Sequence, residues 1–318
     1  MNGLRATLAI LVLVPAAGCS RPAGPAAPRG KPPQRIVSFS PAITRILFDM
    51  GLGERVVGVT RFCSLPEGMD RPRLGDARGI NAEAILAVRP DVIFAQTSPA
   101  KFQGVRDIDP HVRAVQIEIE ALKDIPAAVD RICEVVGGVE AGRRAKEAFE
   151  AKLADVRRRA AGRARRRVLF VMGTNRPAVA GPGTFVADLI EVAGGVNAGD
   201  DIPGKVRWRT THIEAIIRAA PDVLICQASP GRDAEKAGEY WRQWKDLPAV
   251  RNGRVHVVTD ADWSIPSTRV AELAGRVLGM VHPGVGGIPG EEAVRSPAGR
   301  SGLAKPQAAR PAFGGAAP

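Results

Sequence analysis

Four histidines, His111, His212, His256 and His282, are the first residues to weigh for chemistry. None stands in an H-x-x-x-H or H-x-H pair, the spacings that bring two imidazoles to one metal. The chain also lacks a G-x-S-x-G elbow, a G-x-x-x-x-G-K-[ST] loop and a G-x-G-x-x-G turn. Activated serine, phosphate-cradling and dinucleotide chemistry therefore have no local scaffold here. A metal-dependent enzyme would need ligands gathered from distant parts of the chain, so the reading is of a protein that is not an enzyme and has no intrinsic cofactor. Large rings are the other candidates. Trp241 and Trp244, three apart, read as one helix face packed on a core, whereas Trp208 (KVRWRTTH) and Trp263 (DADWSIP) lie in polar, loop-like segments before helices. A ring in such a loop is either half-buried packing or a platform for a flat ligand. Gly181-Pro182-Gly183-Thr184 precedes a helix, so its amides either receive a polar group or form a plain turn before a cap.

The elements that must position these residues alternate. Apolar runs at Arg35–Phe39, Val56–Thr60 and Asp91–Ala95 read as strands, separated by helical stretches at Pro41–Met50 and Ile80–Val88. The pattern resumes with strands at Val168–Met172, Asp222–Cys226 and Arg254–Thr259 and helices at Phe185–Ala193, Ile213–Ala219 and Arg269–Val281. Such alternation predicts parallel α/β units. Between the two series, Ala145, Ala148, Phe149, Leu153, Val156 and Ala160 recur at helical spacing within Glu140–Arg166, predicting one helix of ~25 residues and ~38 Å.

An internal repeat divides the chain further. Glu83–Pro99 (EAILAVRPDVIFAQTSP) and Glu214–Pro230 (EAIIRAAPDVLICQASP) share nine of seventeen residues at an offset of 131. A helix–Pro–strand unit thus occurs once in each half, with the long helix between the copies. The expected architecture is α/β: two Rossmann-like lobes, each a mostly parallel sheet with flanking helices, bridged by one helix. Ligands of such sheets sit beyond the carboxyl ends of the strands, where Gln96 and Gln227 stand. Glu83 and Glu214 head the two copies. A carboxylate near a helix N-terminus is favourable by ~0.3–1 kcal/mol, which accounts for each singly; two equivalent carboxylates also suit a partner with two-fold symmetry.

The compartment is read from the N-terminus. Arg5, the short apolar run Leu8–Val14 and the small residues before Cys19 form a leader over residues 1–18, too short to span a bilayer of ~30 Å as a mature helix. Cys19 follows Ala16-Ala17-Gly18, a pattern that resembles a bacterial lipobox, with lipidation at Cys19. Residues 19–34, rich in Pro, Ala and Gly, suit a tether. Lobes are then expected over 35–139 and 167–283, the bridging helix over 140–166, and a disordered tail from 284 to 318. With Cys19 lipidated, Cys63, Cys133 and Cys226 permit at most one disulfide. The formal charge of +12 raises a nucleic-acid partner, but the arginines of the 157–167 run read as a solvated helix end and no nucleic-acid motif accompanies them.

The stretches RIVSFSPAITRILFDMGLGERVVGVTRFC, INAEAILAVRPDVIFA, AGPGTFVADLIEVAGGVN and LPAVRNGRVHVV with RVAELAGRVLGMVHP together resemble the helical-backbone (class III) solute-binding proteins of ABC importers. That family holds periplasmic cobalamin binders together with ferric-siderophore and haem binders, and the likeness is nearest the vitamin B12 binders. The resemblance implies a monomer held to the membrane by its lipid, with rigid lobes, and a glutamate on each lobe docking on a dimeric permease, here Glu83 and Glu214. It places Trp208, Trp263, Ser40, Pro41, Phe62, Cys63, Arg78, Gln96 and Gln227 around an inter-lobe groove. Ala77 and Gln96 stand where cobalamin binders carry further aromatic rings, while Arg61–Cys63 resembles a cobalamin-binding-like branch. Arg78 and Arg209 would be available to an anionic iron chelate. The implied ligand is a corrinoid such as cobalamin, with a ferric siderophore or haem as the alternative, and a sensory lipoprotein ranks lower.

Overall fold

A computed structural model describes residues 32–76 and 78–285. Cys19, the leader, most of the tether, Ala77 and the segment from 286 onward lie outside the described residues. The amino-terminal half runs β1 (Ile36–Phe39), α1 (Pro41–Asp49), β2 (Val56–Val59), α2 (Ala82–Ala87), β3 (Val92–Ala95), α3 (Gln103–Ile108), β4 (Arg113–Gln116) and α4 (Asp124–Val136). Then α5 (Val139–Ala160) leads to β5 (Arg167–Met172), β6 (Ala178–Ala180), α6 (Phe185–Val192), β7 (Val196–Asn197) and β8 (Trp208–Thr210). The chain continues with α7 (Ile213–Ala219), β9 (Val223–Gln227), α8 (Arg232–Arg242), α9 (Pro248–Arg251), β10 (Val255–Val258) and α10 (Val270–Val281).

Two sheets result. The first has the order β2-β1-β3-β4 and is parallel throughout. Its strand β1 is buried at every position, as expected of a parallel strand covered on both faces: Ile36 faces one core cluster, Val37 and Phe39 another. The second sheet has the order β10-β9-β5-β6-β8, with β7 also beside β5; β9 and β10 run parallel to β5, and β6 alone is reversed, antiparallel to both β5 and β8. The predicted two-lobed α/β architecture is what the chain adopts.

The repeat is preserved in backbone detail. Arg89 and Ala220, each just before the proline of its copy, both take φ of 44°. Asp91 accepts the amides of Gln34 and Arg35, and Asp222 accepts that of Arg167. The Arg35 side chain donates to Val88 O at the end of α2, and the Arg167 side chain to Ala219 O at the end of α7. The same device, an arginine satisfying terminal carbonyls that the left-handed residue turns outward, thus closes both helices. Left-handed φ costs an L-residue ~1–2 kcal/mol, more than the extra unfolded-state entropy of glycine. Ala220→Gly is therefore expected to stabilise the fold by about 0.5–1 kcal/mol, read as a higher denaturant midpoint at unchanged slope.

Helix α5 spans 22 residues, about 33 Å. It stops at Ala160 rather than at Arg166, because Gly162 turns the chain at φ 73° before β5 begins. Phe149, Leu153, Val156 and Ala160 line its buried face, and one apolar cluster runs unbroken from Ile36 and Leu47 through these residues to Phe170, Leu189 and Leu278. Close approach to α4 is set by Gly142, where a Cβ would lie 2.4 Å from Cys133 Sγ. Both sheets therefore share one core along this helix, which resists independent movement of the lobes.

Two histidines respond to this burial. Burial, and then Arg254, hold His256 below its ordinary value; burial, Arg166 and Arg163 do the same at His282. The unfolded chain accepts protons that the folded one resists, so their stabilising contribution is present above about pH 6.5 and is lost as pH falls through it. The unfolding midpoint should drop between about pH 7.5 and about pH 5. A His256→Gln, His282→Gln variant should flatten that part of the profile; an unchanged slope would assign it to other groups.

Candidate functional site

The carboxyl end of β1 passes directly into Ser40, which caps α1 by accepting from Ile43 N at 3.4 Å, with Pro41 at the first helical position. Gln96, one residue beyond β3, donates its Nε2 to Ser40 Oγ at 2.7 Å. Thr44 Oγ1 reaches Ser38 Oγ at 2.8 Å and Cys63 Sγ at 3.2 Å, and Thr60 Oγ1 lies 3.0 Å from the same sulfur. Ser40, Gln96 and Cys63 thus belong to one hydrogen-bonded floor at the strand ends. Cys63 is buried within it, not presented to a metal, and among the described residues Cys63, Cys133 and Cys226 form no disulfide. Burial pushes the Cys226 thiol up to about 11, against the opposing pull of Trp241 and Gly173, so it is a packed apolar group.

The rim above this floor is cationic and aromatic. Phe62 is 62% exposed, with the Arg61 guanidinium 4.9 Å from its ring centre. Arg61 also pairs with Asp76, tying the 61–63 segment to the loop that carries Arg78. The Arg78 amide, at 2.7 Å, is the main cause of the lowered Asp76 carboxyl, with Gly79 N–H and Arg61 adding to it. The Arg78 side chain is exposed.

In the second lobe, Gln227 ends β9 in the place that Gln96 holds beyond β3. Its Nε2 donates to Asp260 O at 3.2 Å and to Ser264 Oγ at 3.1 Å, and its buried Oε1 has no partner among the described residues. Trp208 begins β8, paired with Ala180, rather than lying in a loop. It is half-buried and meets Phe170 edge-on at 6.1 Å. Trp263 departs from expectation. Its ring is 0% exposed, stacked on Phe170 at 5.8 Å with Arg276 5.4 Å from its centre. The ring lies beneath the surface and presents no face to solvent. Arg209 is corrected as well: it is buried and its guanidinium serves the carbonyls of Val206, Gly199 and Ile202, so it is not available to a ligand. The 181–184 turn is structural. Gly181 N donates to Arg207 O, Phe185 N to Glu120 O, and Thr184 caps α6.

Contacts that the sequence did not disclose join the lobes beside these residues. Arg45 on α1 pairs with Asp262 in the turn after β10, while Asp49 accepts from Thr268 Oγ1 at 2.5 Å and lies 3.4 Å from Arg269. Leu122 N donates to Asp188 at 2.8 Å. Glu83 and Glu214 project into solvent from the first turns of α2 and α7. Among the described residues, no group of three or more His, Cys, Asp or Glu is placed to hold a metal ion. No described helix is long and apolar enough to cross a membrane.

This geometry of paired sheets on one helix has known counterparts. Residues 36–261 match the periplasmic binding protein family. The chain belongs to that family. Among relatives of this periplasmic binding protein, the vitamin B12-binding protein of Vibrio cholerae is 25% identical over 252 residues, covering 77% of this chain and 88% of that one. An ABC transporter substrate-binding lipoprotein of Bacillus subtilis, YvrC, is 24% identical over 262 residues, covering 80% and 81%. Two solved structures are alike in fold at 25% identity. The vitamin B12 binding protein BtuF of Vibrio cholerae superposes with a TM-score of 0.67, covering 79% of this chain and 98% of that one. The heme-binding protein RhuT of Roseiflexus sp. RS-1 superposes with 0.65, covering 80% and 100%.

Proposed function

We propose that this periplasmic binding protein is the lipid-anchored capture component of an ABC importer, taking a corrinoid into the groove between its lobes and delivering it to a dimeric permease. The observation that carries the transport role is the duplication itself: the same helix–strand unit in each lobe presents one exposed glutamate, Glu83 and Glu214, on an otherwise rigid frame. The anchor is assigned to Cys19 and the tether after it. For the ligand, the support is the likeness to vitamin B12 binders together with the half-buried Trp208 ring, the exposed Phe62 and the glutamines at the strand ends. Flat apolar area beside a few polar groups suits a bulky macrocycle. Haem is the second reading, favoured by the equal identity to a heme-binding structure.

Titration of the purified protein with cyanocobalamin and with haem, followed by calorimetry and tryptophan fluorescence, tests this. Saturable one-to-one binding of the corrinoid is expected, and Trp208→Ala should weaken it by about 1–3 kcal/mol. A response to haem alone would move the substrate while keeping the importer role. An unchanged dissociation constant in Trp208→Ala would remove that ring from the groove.

A further inference from the structure

The arginine run does more than end a helix. Seven of the eleven residues from 157 to 167 are arginine. Arg158 and Arg159 pair with Asp155, and Arg167 with Asp201. Arg157, Arg163, Arg165 and Arg166 have no carboxylate within ion-pair distance among the described residues. Part of their charge answers the carboxyl ends of three helices that converge here: Arg163 donates to Arg159 O of α5, Arg165 to Gly195 O after α6, and Arg166 to Val281 O of α10. Each helix end is worth about half a negative charge. Those ends, with the Glu191 carboxylate, offset between two and three of the four guanidiniums. A positive excess remains, and Arg163, Arg165 and Arg166 each keep N–H groups beyond the one bond named.

The excess surrounds a cavity of about 250 Å³ lined by Arg157, Arg163, Arg165, Glu191 and Gly194. Its wall at Gly194 is bare: a Cβ there would stand 3.2 Å from His282 Nε2, a buried atom with no hydrogen-bond partner among the described residues. A fork of guanidiniums around a small polar hollow matches phosphate oxygens. We infer that this end of α5 is a second membrane contact, in which Arg157, Arg163 and Arg165 hold the phosphate headgroup of an anionic lipid. The location supports a lipid over other anions. Pro32, at the root of the tether, lies 3.9 Å from the Cβ position of Gly137, beside the start of α5, and the arginines are at its other end, about 33 Å away. On the reading that Cys19 anchors the chain, an anionic surface is continuously within reach at high effective concentration.

The test uses the chain from Ser20 to Pro318, which lacks the anchor but keeps every strand and helix described. It is co-sedimented with vesicles of phosphatidylcholine alone or with a third phosphatidylglycerol. Binding only to the anionic vesicles is expected, with the partition coefficient falling at least ~10-fold in an Arg157→Gln, Arg163→Gln, Arg165→Gln variant. An equally uncharged control at Arg131, Arg143 and Arg144, which pair with glutamates elsewhere, should retain most binding. Equal losses in both variants, or binding without phosphatidylglycerol, would overturn the site. Displacement by inorganic phosphate at matched ionic strength would show a small-anion site and overturn the lipid assignment. The Cys19 reading fails separately, by absence of labelled fatty acid on the full chain, and leaves this result untouched.

Discussion

Replacing both Glu83 and Glu214 with alanine is expected to abolish uptake while leaving the affinity for the captured ligand unchanged. Both carboxylates stand exposed in the first turn of their helices, outside the hydrogen-bonded floor formed by Ser40, Gln96 and Cys63. Neither has a salt-bridge partner among the described residues, so their removal breaks no pair there. The fold should lose only the helix-end contribution of ~0.3–1 kcal/mol each. A docked complex loses more. Truncating one member of a buried charge pair at an interface costs about 2–5 kcal/mol, so losing two weakens docking by roughly a thousandfold or more. Calorimetry on the purified variant and uptake of labelled ligand in cells make the two measurements. Each single variant should fall between, because on the proposed docking to a two-fold symmetric partner either lobe still holds. Wild-type uptake by the double variant would remove these glutamates from the docking surface.

Most of the frame for that docking was legible because it is encoded locally. Strand β1 is a largely apolar run, α1 opens with Ser40-Pro41, and the duplicated unit repeats the Pro-Asp-Val that leads from its helix into its strand. Each of these signals acts within one turn or one strand. What stayed hidden depends on partners far away in the chain. Arg45 finds Asp262 more than two hundred residues later, and Arg209 looks like a free cation until the carbonyls of Gly199 and Ile202 close on it. Strands β6 and β8, of three residues each, are too short for alternation to reveal, which is why Trp208 read as a loop residue. The long helix ends at Ala160, short of the expected Arg166, for a related reason: its arginine run continues a helix-forming composition, and only the turn at Gly162 and the carbonyls of three converging helices redirect it.

Trp263 is the sharpest case, and it carries the second large effect. The segment DADWSIP is polar enough to suggest a surface ring. In the fold, the backbone does stay outside, with Asp262 paired to Arg45 and Ser264 holding Gln227, while the indole turns inward onto Phe170. Removing a fully buried tryptophan leaves a cavity its neighbours cannot close, at a cost of about 3–5 kcal/mol. Trp263→Ala should therefore lower the unfolding midpoint sharply, whereas Trp208→Ala, at a half-buried edge, should cost much less stability. Binding separates the two roles further. If Trp263 acts as support, Trp263→Phe, which keeps a ring against Phe170, should restore both stability and affinity; a surface platform for ligand would lose affinity with stability intact. Fluorescence gives an independent reading. The blue-shifted emission of a buried indole should be reduced in Trp263→Phe, while quenching by bound ligand should diminish in Trp208→Phe. Quenching that vanishes with Trp263 and persists without Trp208 would mean that the ring swings out to meet the ligand, with Gln227 Oε1 and Trp263 Nε1, both buried without partners among the described residues, as the atoms released by the move.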